Sequence, residues 1–144
     1  MRKLLFLLGA LTLCACGPQA APSIDVRDAV FAPPIGVTGV TAGYFTLQNN
    51  GPADTLLSIS TPVATSAEMH ETTMADGMMH MTRLEKLDIP AGGIVAFSHG
   101  GKHLMLFGVK PDIAIGSTAT MTFTFEKAGA KDYTFTVKSA AADH

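Results

Sequence analysis

Residues 120 to 125 alternate without a break: Met121, Phe123 and Phe125 fall on one face of an extended segment, Thr120, Thr122 and Thr124 on the other. Tyr133, Phe135 and Val137 repeat the pattern one turn later. A period of two carried by aromatic and β-branched residues commits a segment to a half-buried strand. Runs of this kind recur at 24–31, 41–49, 55–60, 67–73, 78–84, 94–98, 103–109, 119–126 and 132–138. Between them stand turn residues, among them Asn49-Asn50-Gly51-Pro52, Asp76-Gly77, Pro90-Ala91-Gly92-Gly93, Gly100-Gly101 and Ala128-Gly129-Ala130. Turn signals about every 8 to 12 residues are the pattern of a sandwich or barrel. No segment of ten or more residues carries a helical period, so the sequence predicts one all-β domain over 24–138 with Met121 in its core.

The start of the chain reads differently. Met1-Arg2-Lys3 precedes the apolar run 4–11, and Leu13-Cys14-Ala15-Cys16 follows. A basic start, a short apolar stretch and small residues before a cut make a secretory signal. The run is well short of the roughly 18 to 20 residues that span a bilayer. Leu13-Cys14-Ala15-Cys16 resembles a bacterial lipobox, which implies removal of 1–15 and lipidation of Cys16. Cleavage after Ala15 or Ala20 with plain secretion is the other reading. Residues 16–23 then form a Pro-bearing tether and 139–144 a short tail, in a protein of the periplasm whose membrane attachment is the lipid on Cys16.

Both cysteines lie within the first 16 residues, so the expected mature body has neither a disulfide nor a thiol. That excludes a cysteine nucleophile, iron–sulfur ligation and the cysteine-centred blue-copper site. Loss of Arg2 and Lys3 with the signal leaves 8 basic against 12 acidic residues, a net charge of −4. Such a balance lacks the basic footprint that a phosphate backbone demands, and nucleic acid is not an expected partner.

Of the eight methionines, five fall between Met69 and Met81, together with His70 and His80. Composition alone does not separate a soft-metal site from a Met-rich apolar patch. Strand geometry does. With Asp76-Gly77 as the centre of a two-residue hairpin turn, Ala75 faces Met78, Thr72 faces Met81 and His70 faces Arg83. His70, Thr72, Met74, Met79, Met81 and Arg83 then share one face, while Met69, Glu71, Met78 and His80 share the other. His70 and Met81 become diagonal neighbours about 7 to 8 Å apart, within reach of one ion. Farther on, His103 and Met105 project from one face of a strand whose Leu104 and Leu106 point into the core. Two imidazoles and two thioethers are neutral, soft donors that suit Cu(I) and bind Zn, Mg or Ca poorly. Met69 and Met78 read as packing or rim, and Glu68, Glu71 and Asp76 as an acidic patch or a solvated strand face.

The spacing His70, ten residues, Met81, 21 residues, His103, one residue, Met105 resembles the signature of the PCu(A)C family of periplasmic copper chaperones. Glu68-Met69-His70-Glu71-Thr72, Asp76-Gly77-Met78-Met79-His80-Met81, 87–93 and Gly100-Gly101-Lys102-His103-Leu104-Met105-Leu106 carry the likeness, which runs from Ile24 to Val137. The resemblance implies a cupredoxin-like Greek-key β-sandwich. It also implies Cu(I) binding by His70, Met81, His103 and Met105, and delivery to the binuclear copper centre of apo cytochrome c oxidase or to another copper-assembly protein. His80, His99, Met74 and Met79 stand as auxiliary candidates, and His144 has no evident role.

A monomeric, non-enzymatic carrier is thus the expectation. The same residues would also serve copper storage or detoxification. A cupredoxin-type electron carrier is disfavoured by the missing cysteine ligand, and a metal-free adhesion sandwich predicts no copper uptake.

Overall fold

The computed structural model describes residues 21–139, and ten strands account for its regular structure. They are β1 Ile24–Phe31, β2 Thr41–Asn49, β3 Asp54–Ser60, β4 Ser66–Ala75, β5 Met78–Leu84, β6 Leu87–Ile89, β7 Ile94–Phe97, β8 Lys102–Phe107, β9 Thr118–Phe125 and β10 Gly129–Val137. No helix among the described residues is long and apolar enough to cross a membrane. The proposed signal, Cys16 and His144 lie outside the described residues.

Hydrogen bonding follows the order β5-β4-β8-β2-β1-β10-β9-β3-β6, with β7 pairing β2. Every pairing is antiparallel except β1 with β10, which joins Val30 to Thr136 and Phe31 to Val137. That short parallel seam links the group β5-β4-β8-β2-β1 to the group β10-β9-β3-β6. A bulge between Arg27 and Val30, with Asp28 at φ 52°, interrupts β1 just before the seam. Bulges bend a strand and increase its twist, so β1 can run along β2 and then turn onto β10. The fold is all-β and cupredoxin-like, as expected.

One core fills the space between the groups. Phe45 stacks on Phe97 with ring centres 4.2 Å apart and meets Phe123 and Phe135 edge-on at 5.2 and 5.5 Å. Leu47, Leu56, Ile89, Leu104, Leu106, Met121, Phe123, Phe135 and Val137 are fully buried. Burying a side chain of this size contributes about 1.5 to 3 kcal/mol each, offset by ordering the chain. Met121 is core, as its alternation required, and Met69 joins it.

Polar ties close the ends. Asn49, fully buried, donates its amide hydrogens to the carbonyls of Pro52 and Pro90 at 2.8 and 3.1 Å and accepts from Gly51 N–H at 2.9 Å. The Tyr133 hydroxyl donates to the Ile24 carbonyl at 2.6 Å, and burial, helped by the charge of Asp25, pushes its pKa up to about 12.

Most strand ends fall within two residues of expectation, and two features differ by more. Leu87–Ile89, read from sequence as part of a link, forms the three-residue strand β6 against β3, its Leu87 and Ile89 buried and Asp88 exposed. Three residues stopped by Pro90 are too few for an alternation to stand out. β10 begins at Gly129, three residues before the expected start, because Gly129 takes φ 73° and pairs at once with Phe125.

Candidate metal centre

The site grows from one hairpin and one neighbouring strand. Asp76 and Gly77 have φ 52° and 74°, the left-handed conformation that both central residues of a type I′ turn require. Glycine adopts it freely, and aspartate is among the few other residues that tolerate it. The turn fixes the register: Ala75 pairs Met78, Thr72 pairs Met81 and His70 pairs Arg83, as the sequence predicts. On its other side β4 pairs β8, with His70 opposite His103 and Glu68 opposite Met105.

Residues directly opposite in an antiparallel pair share a face, and so do residues two apart on one strand. Glu68, His70, Met81, Arg83, His103 and Met105 therefore emerge from one face of β5-β4-β8. The opposite face of these strands carries Met69, Leu104 and Leu106, all buried. Packing of those three holds the β4–β8 backbone against the core.

The two imidazole centres are 5.9 Å apart, tilted by 35°. Metal–imidazole bonds of about 2 Å put two rings that share an ion roughly 5 to 6 Å apart at their centres. No metal need reorganise the backbone to bring these rings together.

Hydrogen bonds decide which nitrogens are free. His103 Nδ1 lies 3.1 Å from the Gly101 carbonyl, which only accepts, so Nδ1 carries the hydrogen and the Nε2 lone pair is left open. In His70 the arrangement is reversed. Its Nε2 lies 2.9 Å from Glu68 Oε2, again an acceptor, which leaves the lone pair on Nδ1. That Nδ1 is buried and has no hydrogen-bond partner, the one such side-chain atom among the described residues. A buried imidazole nitrogen without a partner is costly unless something fills the vacancy. A metal ion of the kind that binds neutral imidazole is such a group.

Glu68 is itself held. Its Oε1 accepts from Arg83 Nη1 at 3.2 Å, and Arg83 Nε lies 3.4 Å from Glu85 Oε1. Glu71, on the other face, takes Lys102 Nζ at 2.7 Å. Glu68 and Glu71, read from sequence as an acidic patch or solvated face, are paired side chains. The carboxylate of Glu68 adds no uncompensated charge to the site.

The four candidates differ in cover. His103 is 8% exposed and Met105 half-buried, whereas Met81, on the edge strand β5, is 59% exposed. Among the described residues no three or more of His, Cys, Asp and Glu gather where they could hold a metal ion. Any set here must draw on the thioethers. His80 lies on the opposite face of β5, and His99 packs against Tyr44 with ring centres 4.1 Å apart and planes tilted by 35°, so neither joins the face of His70 and His103. Met74 and Met79 do share that face, at the tip of the hairpin. Sequence reasoning placed Arg83 opposite His70 but assigned it nothing, and it missed the Glu68 contact to His70. The signal was available, since residues two apart on a strand lie side by side.

Comparison with known proteins places the chain in a family. The model of the LpqE-like lipoprotein family matches residues 24–137. The chain belongs to the LpqE-like, PCu(A)C family. A lipoprotein of Leifsonia xyli subsp. xyli is 29% identical over 90 residues, 61% of this chain and 54% of its own length. An uncharacterised protein of Rickettsia prowazekii is 31% identical over 111 residues, 76% of this chain and 57% of its own. The chain thus spans little more than half the length of these curated relatives. Among solved structures, Cu(I)-bound DR1885 of Deinococcus radiodurans is similar at a TM-score of 0.67 and 32% identity, covering 88% of this chain and 85% of that one. The copper-bound PCu(A)C domain of PmoF2 is similar at 0.68 and 24%, covering 83% and 96%, a likeness of fold. The fold and family expected of the LpqE-like chain are those found.

Proposed function

We propose that this PCu(A)C protein is a copper chaperone that binds Cu(I) through Nδ1 of His70, Nε2 of His103 and the sulfurs of Met81 and Met105. The observation that carries the proposal is the buried, partnerless Nδ1 of His70 on a strand pair whose register sets it beside His103. DR1885, solved with Cu(I) bound and 32% identical to this chain, supports the choice of ion. Copper here is cargo, and the protein is a carrier rather than an enzyme.

The donor set explains the selectivity. Four neutral ligands provide no charge to hold a divalent ion against its hydration, while thioether sulfur matches the soft monovalent one. Thioethers also do not form disulfides, which suits an oxidising compartment; their liability is oxidation to sulfoxide. Each imidazole is oriented by the hydrogen bond at its other nitrogen, so the lone pairs are set before the ion arrives.

Release follows from the unequal cover. His70, His103 and Met105 sit on strands paired on both sides, but Met81 belongs to the sheet edge. An incoming ligand can reach the ion from the Met81 side, where cover is least, before any of the four donors lets go. The acceptor in this reading is the binuclear copper centre of apo cytochrome c oxidase or another copper-assembly protein. The carrier would work as a monomer in the periplasm, with 1–15 removed, Cys16 lipidated, 16–23 as tether, 24–138 as the working domain and 139–144 as tail. Storage or detoxification would use the same ligands. Mixing the Cu(I)-loaded protein with an apo oxidase copper domain tests the choice: stoichiometric transfer supports delivery, and retention of copper by the carrier overturns it.

A further inference from the structure

Beyond the four-ligand set, the tip of the β4–β5 hairpin leaves Met74, Met78 and Met79 in solvent at 68, 61 and 69% exposure. With Met81 they supply four of the nine exposed large apolar side chains among the described residues, all within eight positions. A contiguous apolar cluster left in water marks a surface with a task. The tip also stands free of the body. The β4–β8 register ends at Glu71 opposite Lys102, with one further bond from Thr72 N–H to the Gly101 carbonyl.

Register sorts the cluster. Met74 pairs directly with Met79, next to the Ala75–Met78 pair that closes the turn. The pair after a turn-closing pair is the non-hydrogen-bonded kind, whose Cα atoms are about 4.5 Å apart and whose side chains lie closest. Met81 follows Met79 by two residues on the same face, and His70 lies farther along that face. Met78 and His80 are turned away. The row therefore runs from the Met74–Met79 pair through Met81 to the ring of His70. Met side chains have three rotatable bonds and a polarizable sulfur, so three neighbours can close on one soft ion.

We infer that Met74, Met79 and Met81 form a three-thioether station at which Cu(I) enters and leaves the protein, with Met81 shared between the station and the four-ligand site. The inference rests on the copper reading above and adds a route to it. On loading, Met81 keeps its bond to copper while the Cu–S bonds to Met74 and Met79 break. Bonds to His70 Nδ1, His103 Nε2 and Met105 sulfur form in their place. Copper stays Cu(I), and no proton moves, because both accepting nitrogens already hold a free lone pair.

The test is stopped-flow exchange of Cu(I) between the full chain and a chromophoric Cu(I) chelator, comparing wild type with the double variant Met74→Leu, Met79→Leu. Leu keeps the volume and loses the sulfur. The expected result is unchanged equilibrium affinity with loading and removal slowed about tenfold, the scale on which supporting groups act at metal sites. Met78→Leu, on the other face, should exchange at the wild-type rate. Equal rates for the double variant and wild type overturn the station. A second measurement uses Ag(I) as the probe and methyl-labelled methionine in the variant His103→Ala, Met105→Ala. Joint shifts of the Met74, Met79 and Met81 methyl signals, with Met78 unmoved, support the station, and their absence overturns it. Failure of the wild type to take up any Cu(I) would instead remove the four-ligand reading itself.

Discussion

His70 and His103 are direct register partners across β4 and β8, their ring centres 5.9 Å apart, and they expose opposite nitrogens: Nδ1 of one, Nε2 of the other. Each ring spends its remaining nitrogen on a fixed acceptor. Both rings thus stand on one face of the sheet, each with one nitrogen tied and one lone pair left.

Replacing His103 and Met105 together by Ala removes half of the proposed set from one strand while leaving Leu104 and Leu106 in the core. Cu(I) affinity should fall by about two orders of magnitude or more, at least the loss seen when mere supporting groups are removed. Circular dichroism should stay that of the folded chain. A competition titration against a Cu(I) chelator measures the first, and undiminished affinity would sink the ligand assignment.

Glu68→Gln tests the orientation of His70. An amide holds Nε2–H more weakly than a carboxylate and loses the Arg83 pairing, so the ring is freed to turn or change tautomer. The expected drop in Cu(I) affinity is about tenfold. Nitrogen NMR of His70 should show the hydrogen on Nε2 in wild type and a mixture in the variant. An unaltered tautomer with unaltered affinity would leave Glu68 with no role at the site.

Asp54 governs behaviour in acid. Burial alone would raise its carboxyl, but the backbone N–H groups of Lys127, Ala128 and Thr55, with the Lys127 charge, together hold it below its ordinary value. The stability it contributes is present above the ordinary Asp range near pH 3.9, about the unfolded value, and is lost as pH falls through the lower folded value. Asp54→Asn should cost about 1.5 to 3 kcal/mol near neutrality, the worth of a hydrogen bond to a charged group. Its decline below pH 4 should be shallower than that of wild type. Urea unfolding at stepped pH reads both.

Gly108 follows β8 with φ 62°, and a Cβ there would overlap the Thr65 hydroxyl and lie 2.9 Å from Thr65 Cβ. Gly108→Ala should destabilise by about 2 kcal/mol or more, from strained backbone and overpacking together. Adding Thr65→Ala should recover only the hydroxyl part of the clash, because residue 65 keeps its Cβ 2.9 Å away, so a double-mutant cycle in urea separates that part from the rest.

How much of this could be read from the sequence depends on whether the information is local. The hairpin register was legible because Asp76-Gly77 names its own turn, and one turn fixes which residues face each other on both strands. The core role of Met121 was legible from unbroken alternation. The pairing of β4 with β8 was not: nothing between Thr73 and His103 says which strand will lie beside which, and His70 met His103 in the sequence only through shared chemistry and family spacing. β6 was invisible because three residues carry too little pattern. The His70–Glu68–Arg83 chain lay in plain view as same-face positions on paired strands, but charged residues on a strand face are ordinarily solvated, and that expectation hid it.

The type I′ turn at Asp76-Gly77 makes the metal face a matter of parity. A residue added at the tip that the turn does not absorb in a bulge or longer loop slips the β5 register by one, so that the Met81 sulfur trades places with the His80 ring while β4, β8 and the core stay as they are. Length variation at this loop, harmless in most β-hairpins, would work here as an on–off element for the proposed fourth ligand whenever it is taken up as a register slip.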